Sequence, residues 1–82
     1  MVLHNSLEQL LAFQHVAEQL SFKKAADQLF LTPTALSHRI KKLEQQLNIQ
    51  LFERRTRSIS LTPEGEYLLK HVQSGFGQIQ TA

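Results

Sequence analysis

The chain has no cysteine, and it has only three glycines and two prolines among its 82 residues. Without cysteine it cannot form disulfides, thiolate zinc sites or a cysteine nucleophile. No apolar run approaches the roughly 18 residues of a membrane span, and Met1–Asn5 does not resemble a secretory signal. The 41% hydrophobic content is that of an ordinary globular chain. We therefore expect one small cytoplasmic domain around a single apolar core.

Charge is sparse, and it is concentrated in the middle of the chain. The net charge is only +2. Residues 21–62 carry eight basic and three acidic side chains, whereas the segments on either side are mildly acidic. Such a distribution is typical of a positive face that binds a polyanion. Charge alone, however, favours an ordinary solvated surface.

Capping signals predict three helices in the first half of the chain. Each predicted helix carries apolar residues at spacings of three and four, which gives it one buried stripe. The first helix is expected to begin just before Leu7. The signals are a capping box formed by Ser6 and Gln9, then Ser21, then Thr32 followed by Pro33, and finally Asn48, which can adopt the left-handed conformation that ends a helix.

The second half predicts a hairpin and a fourth helix. Residues 49–62 contain a basic stretch followed by alternating apolar and polar residues, which favours two short strands around a loop. Thr62 and Pro63 repeat the cap-and-proline signal and open the fourth helix. Periodicity alone fits a dimer seam and the chain's own core equally well for this helix's apolar stripe, which is Leu69, Val72, Phe76 and Ile79.

This order of elements predicts a mainly α fold, a winged helix-turn-helix. It has a three-helix core and a short β-hairpin wing in residues 1–62, and a linker helix begins in residues 63–82. In helix-turn-helix proteins the outer face of the third helix reaches base edges in the major groove. Wing arginines suit phosphates or a narrow minor groove. The candidate residues are Thr34, Ser37, His38, Lys41 and Lys42 on the helix, and Arg54, Arg55 and Arg57 in the wing.

Two other classes of function fit less well. Ser37 and His38 are adjacent, so on a helix they point about 100° apart and cannot form a nucleophile–base pair. His4 and Glu8 supply only two ligands, which do not make a metal site. We therefore expect no enzyme, no metal and no cofactor. The alternative function is a winged-helix module for protein–protein interaction, which would need an exposed apolar patch on the outer face of the third helix.

Several segments with matching separations resemble the N-terminal DNA-binding domain of LysR-type transcriptional regulators. The resemblance covers about Leu7 to Leu69. It rests on Ser21-Phe22 with Ala25-Ala26, Ala35-Leu36-Ser37 with Ile40, Leu43 and Glu44, Leu51-Phe52-Glu53-Arg54, and Leu61-Thr62 with Gly65.

The resemblance implies a bacterial regulator, associated with the nucleoid, that binds double-stranded DNA as a homodimer on an interrupted palindrome. The fourth helix would pair the two copies, which favours a seam for its apolar stripe. A tetramer is expected in the full-length protein. A small-molecule inducer would bind only through a larger C-terminal domain that these 82 residues do not include.

The resemblance also assigns site residues. Pro33 and Thr34 begin the recognition helix, where the family often has Gln followed by Pro, so Thr34 is expected to replace the lost glutamine contact. Ser37 is expected at the DNA backbone or a base edge. His38 stands where arginine is common, and it cannot form the bidentate contact to guanine. Arg57 matches a wing arginine expected in the minor groove.

For several assigned residues a purely structural role is also open. Helix caps need no ligand, and lysines far along a helix are usually solvated. The residues are Ser21 and Thr32, as caps or phosphate contacts; Lys41 and Lys42, as solvated side chains or backbone contacts; and Arg54, as a wing contact or an ion pair with Glu53 or Glu44.

Overall fold

The computed structural model describes the backbone of residues 3–81 and the side chains of residues 7–75. It confirms the predicted winged helix-turn-helix, with four helices and a two-stranded antiparallel hairpin. Across residues 3–81, no helix is both long and apolar enough to cross a membrane. The elements in chain order are α1 (Leu3–Gln19), α2 (Phe22–Leu29), α3 (Pro33–Leu47), β1 (Phe52–Arg54), β2 (Ile59–Leu61) and α4 (Pro63–Thr81).

The predicted start of α1 is wrong. The helix begins at Leu3, before the capping box that was expected to open it just ahead of Leu7. Residues 3–6 contain neither proline nor glycine, so nothing in this segment stops the helix from extending upstream. Serine is also tolerated inside a helix, and a capping pattern therefore does not have to mark its first turn.

The N-caps of α2 and α3 and the C-cap of α3 are those that the sequence predicts. The Ser21 side chain accepts a hydrogen bond from the backbone N–H of Lys24 at 3.1 Å. Thr32 Oγ1 accepts one from the backbone N–H of Ala35, also at 3.1 Å. Asn48 ends α3 in the left-handed conformation, with φ 56°. Each cap satisfies backbone groups that have no partner within the helix.

The core lies where α1, α2 and α3 meet under the hairpin. Ala25 and Ala26 are fully buried, and their small side chains let α2 approach its neighbours closely. The rings of Phe13 and Phe52 pack with their centroids 5.5 Å apart, which joins α1 to β1. This contact fixes the base of the wing on the helical core. The buried apolar residues are Ala12, Phe13, Val16, Ala17, Ala25, Ala26, Leu36, Ile40, Leu43, Leu51, Phe52 and Val72.

Helix α4 packs on α1 through one edge of its first half. Val72 belongs to the chain's own core, and Leu69 is half-buried against it. Gln73 Nε2 donates to Glu18 Oε2 at 3.0 Å and so joins the two helices. The side chains of Phe76 and Ile79 lie outside the described residues. The division into a domain of residues 1–62 and a linker helix stays a prediction, as does the dimer seam.

The hydrogen bonds on Glu18 also change its acidity. The bond from Gln73 and then the bond from Gln14 hold the pKa of this carboxyl below its ordinary value of 4.5. The charged form is favoured because both amides donate to it. The junction between α1 and α4 is therefore strongest when Glu18 is ionised.

Candidate nucleic-acid interface

Helix α3 turns an apolar side inward and a polar side outward. Leu36, Ile40 and Leu43 are buried, at spacings of three and four. Because helical residues one position apart point about 100° from each other, the residues between them face out. Thr34 and His38 are accordingly exposed. The outer face can offer hydrogen-bonding groups to a ligand without disturbing the core.

The two lysines of α3 lie on different sides of the outer face. Lys41 shares a shallow depression of about 430 Å³ with the residues at the start of α3. Lys42 lies towards α1, in a second depression beside Glu8 and Arg39. Arg39 and Glu8 form an ion pair there at 4.0 Å. The first depression is lined by Phe22, Pro33, Thr34, Ser37, His38 and Lys41, and it is the concave centre of the candidate interface.

The wing brings Arg54 back onto α3. Side chains alternate along a strand, so Arg54 lies on the same face of β1 as the buried Phe52. Its Nη1 donates a hydrogen bond to Ser37 Oγ at 2.7 Å. Its guanidinium carbon also lies 4.6 Å from the centroid of the Phe22 ring. Arg54 therefore connects the wing to both helices of the helix-turn-helix.

The ion pairs considered for Arg54 are wrong for the described side chains. Glu53 alternates to the opposite face of β1 and pairs with Arg55 at 3.7 Å, on the surface. Glu44 instead accepts two backbone hydrogen bonds. Arg57 is exposed in the loop that joins the strands. The hairpin is closed beneath it by a 2.9 Å bond from Arg55 N–H to the carbonyl of Ser58.

Glu44 is a site residue that sequence reasoning missed as such. Its Oε2 accepts hydrogen bonds from the backbone N–H of Leu51 at 2.8 Å and of Phe52 at 3.3 Å. The carboxylate of α3 thereby fixes the point where β1 begins, and with it the position of the wing. The bonded N–H groups lie seven and eight residues after Glu44, beyond the end of α3, so no local sequence pattern indicates these bonds.

Thr62 and Gly65 fix the other end of the wing. Thr62 Oγ1 donates to the carbonyl of Gln50 at 2.7 Å and accepts from the N–H of Gly65 at 3.0 Å. Its own N–H donates to the carbonyl of Leu51 at 3.0 Å. A Cβ on Gly65 would lie 2.2 Å from that carbonyl oxygen. Only glycine therefore lets α4 pass so close to the wing.

The predicted site residues are thus only partly brought together. Those of the depression and Arg54 form one continuous surface, while Arg55 and Arg57 lie farther out on the exposed wing. Ser21 and Thr32 are occupied as caps. No group of three or more potential metal ligands occurs among the described residues. Hydrogen bonding and positive charge are the means by which this surface can hold a ligand.

The sequence matches a known family over most of its length. Residues 7–66 match the model of the bacterial regulatory helix-turn-helix proteins of the lysR family. The HTH-type transcriptional regulator PerR of Escherichia coli K12 is 49% identical over 74 residues, which cover 90% of this chain and 25% of PerR. The glycine cleavage system transcriptional activator of the same strain is 43% identical over 76 residues, 93% of this chain and 25% of the activator. This chain spans about a quarter of the length of these curated relatives.

Solved structures share the fold. The crystal structure of the BenM_DBD/catB site 1 DNA complex superposes with a TM-score of 0.85 at 37% identity, covering 92% of this chain and 83% of that one. The CbnR_DBD-DNA complex gives 0.81 at 28% identity, covering 90% and 85%. The oxidized form of Corynebacterium glutamicum OxyR gives 0.83 at 37% identity, covering 92% of this chain but 23% of OxyR.

Proposed function

Because this chain belongs to the LysR family of bacterial regulatory helix-turn-helix proteins, we propose that it binds double-stranded DNA sequence-specifically, as part of a transcriptional regulator. One observation carries the proposal: Arg54 hydrogen-bonds to Ser37, so the basic wing and the polar face of α3 form a single surface. An α-helix fits the major groove of B-DNA, and the adjoining wing then lies over the backbone and the next minor groove.

The roles of the residues follow from their chemistry and exposure. Thr34 and His38 are exposed at the start of α3, where side chains of a helix-turn-helix reach base edges. Lys41 borders the same depression and suits a phosphate. Arg57 is exposed in the wing, where a narrow minor groove attracts it. Lys42, beside Glu8, is assigned only a backbone contact.

Helix N-termini add sites for phosphate. The first backbone N–H groups of a helix attract anions. Ser21 and Thr32 cap α2 and α3, and Pro33 begins α3 without an N–H of its own. Phosphate contacts at these two N-termini would fix the register of α3 on the duplex without reading the sequence.

Two copies bound symmetrically would recognise an interrupted palindrome. In the described half of α4 the apolar stripe is partly used within the chain, because Val72 and Leu69 pack against the chain's own core. The stripe of Leu69, Val72, Phe76 and Ile79 is the proposed dimer seam, with Val72 contributing least because it is buried in its own chain. In the full-length bacterial regulator we expect a tetramer in the cytoplasm at the nucleoid, with a small-molecule inducer bound by a C-terminal domain.

A protein–protein module is not favoured by the outer face of α3. Thr34, His38 and Lys41 line it, and no large apolar side chain among residues 34–46 is exposed. A binding surface for another protein would need an apolar patch there.

The test is selection of bound sequences from a random duplex pool at two salt concentrations. An enriched interrupted palindrome is the expected result, and it would supply the operator. His38→Ala should then alter base preference at one position, by up to about 1–3 kcal/mol. Lys70→Ala removes a positive charge outside the proposed interface and is the matched control. Weak, uniform binding that disappears at high salt would contradict sequence-specific recognition.

A further inference from the structure

We propose that Arg54 is a positioning residue that holds the Ser37 hydroxyl as a hydrogen-bond donor towards DNA. The inference rests on the proposed function and adds which partner donates the hydrogen bond between Ser37 and DNA. It begins from the 2.7 Å bond between Arg54 Nη1 and Ser37 Oγ.

The polarity of that bond follows from the two groups. A guanidinium has five N–H donors and no acceptor, so Ser37 must be the acceptor. A hydroxyl that accepts in this way still has its own hydrogen to donate. Among the described residues, Ser37 donates to no acceptor. Because Ser37 lines the depression at the start of α3, its hydrogen is left for an acceptor outside the chain.

The guanidinium is itself held in place. It lies over the Phe22 ring, a geometry that attracts a cation to the face of an aromatic ring. Phe22 in turn packs edge-on against Phe52, with the ring centroids 6.2 Å apart. Phe52 is fully buried. The chain of contacts runs from the core to Ser37, so the hydroxyl is oriented before any ligand arrives and loses less freedom on binding.

The consequence is a choice among DNA groups. Phosphate oxygens, guanine O6 and N7, adenine N7 and thymine O4 are acceptors, whereas cytosine presents its N4 amino donor in the major groove. A Ser37 that donates its hydrogen to a base edge therefore selects guanine, adenine or thymine at that position, since cytosine could engage only the second lone pair of the hydroxyl. If it meets a phosphate instead, it adds affinity equally for all sequences. Both contacts use the same donated hydrogen.

The first experiment tests the bond in the free protein. Ser37→Ala, Arg54→Ala and the double variant are unfolded in urea. Arg55→Ala is the control, because among the described side chains Arg55 forms only a surface ion pair with Glu53. We expect a coupling of roughly two- to tenfold in the unfolding equilibrium between Ser37 and Arg54, the effect of one hydrogen bond. Additive effects of the two substitutions would overturn the inference and leave DNA binding untouched.

The second experiment repeats the duplex selection with these variants and with Arg54→Lys. Ser37→Ala should weaken binding by roughly two- to tenfold without changing the salt slope, because the hydroxyl is uncharged. Arg54→Ala should relax the same base position, or reduce affinity uniformly if Ser37 meets a phosphate. In either case Arg54→Ala should change DNA binding less when Ser37 has already been replaced by alanine. Arg54→Lys, which keeps a hydrogen-bond donor, should recover part of the wild-type affinity or base preference.

The outcomes separate the two proposals. A wild-type protein that selects no sequence contradicts the proposed function, whatever the urea experiment shows. A selective wild-type protein in which Arg54→Ala lowers only the salt slope, by the same amount with and without the Ser37→Ala substitution, contradicts the positioning role alone. Arg54 would then be a direct phosphate contact.

Discussion

Two glycines in α4 should respond to the same substitution with opposite signs. Gly65 and Gly75 lie in one helix, ten residues apart, and alanine has the higher helix propensity at both. A Cβ at Gly75 meets nothing within 4 Å in the part of the chain whose side chains the structure describes. A Cβ at Gly65 would lie 2.2 Å from the carbonyl oxygen of Leu51 and 2.9 Å from a methyl carbon of Leu61. The first substitution changes only the propensity, while the second also forces the backbone to move.

The expected changes in the free energy of unfolding follow from these distances. Gly75→Ala should raise the free energy of unfolding by about 0.5–1 kcal/mol. The Leu51 carbonyl accepts from the Thr62 N–H at 3.0 Å, and the Gly65 N–H donates to Thr62 Oγ1 at 3.0 Å, so neither the carbonyl nor the helix can shift without disturbing one of these bonds. Overpacking costs about 1–3 kcal/mol, and loss of a cap costs about 0.5–2 kcal/mol. After the propensity gain of about 0.5–1 kcal/mol is subtracted, we expect Gly65→Ala to lower the free energy of unfolding by about 1–4 kcal/mol.

Urea unfolding followed by circular dichroism at several protein concentrations measures both values. The concentration series separates stability from assembly, because association shifts the apparent midpoint. In a domain of this size each 1 kcal/mol moves the thermal midpoint by roughly 4–8 °C. A Gly65→Ala variant at least as stable as wild type would refute the close approach of α4 to Leu51. A destabilised Gly75→Ala variant would show that this position is covered, as in a dimer seam.

Three further predictions test the interface and its supports. Arg57→Ala should weaken binding to all duplexes and reduce the salt slope by about one contact; an unchanged slope removes Arg57 from the interface. Glu44→Ala should lower the free energy of unfolding in urea by about 1–3 kcal/mol, because it leaves two backbone N–H groups at the start of the wing without their acceptor. The control Glu53→Ala breaks only a surface ion pair and should lower it by less than about 1 kcal/mol. Equal effects would contradict the role of Glu44. Gln73→Ala should slightly lower the free energy of unfolding at pH 7, because it removes the hydrogen bond to the ionised Glu18 carboxylate. The difference in this free energy between variant and wild type should shrink as pH falls below 4.5 through the lowered pKa of Glu18. A difference that is constant with pH would mean that Gln73 does not bond to the charged carboxylate.

The N-caps of α2 and α3 and the outer face of α3 could be predicted because their signals are local. Ser21 and Thr32 act within three residues of themselves. The buried stripe of α3 needs only its own periodicity. The end of α2 could not be found in this way, because Phe30 adopts the left-handed conformation with φ 58°. That conformation is usual for glycine and asparagine, and a phenylalanine gives no sign of it.

The contacts of Arg54 could not be predicted for a different reason. Sequence proximity pointed to Glu53 and Glu44, but alternation along β1 turns Glu53 away, and Glu44 is occupied by the backbone of the wing. The partner that remains, Ser37, lies 17 residues away. The packing of β1 against α2 and α3 decides which of several possible acceptors Arg54 contacts. No local sequence pattern predicts that packing.

The supports of the wing converge on one short segment, residues 50–52. Glu44 of α3 holds two of its N–H groups, and Thr62 holds two of its carbonyls. Gly65 of α4 lies against the same Leu51 carbonyl. Helix α3, the wing and α4 therefore share one backbone segment as their common support. A change in the direction of α4 must move this segment or break its hydrogen bonds. For that reason substitutions at Glu44 and Gly65, although outside the proposed DNA surface, should reduce DNA affinity along with stability, whereas Gly75→Ala should leave the wing in place.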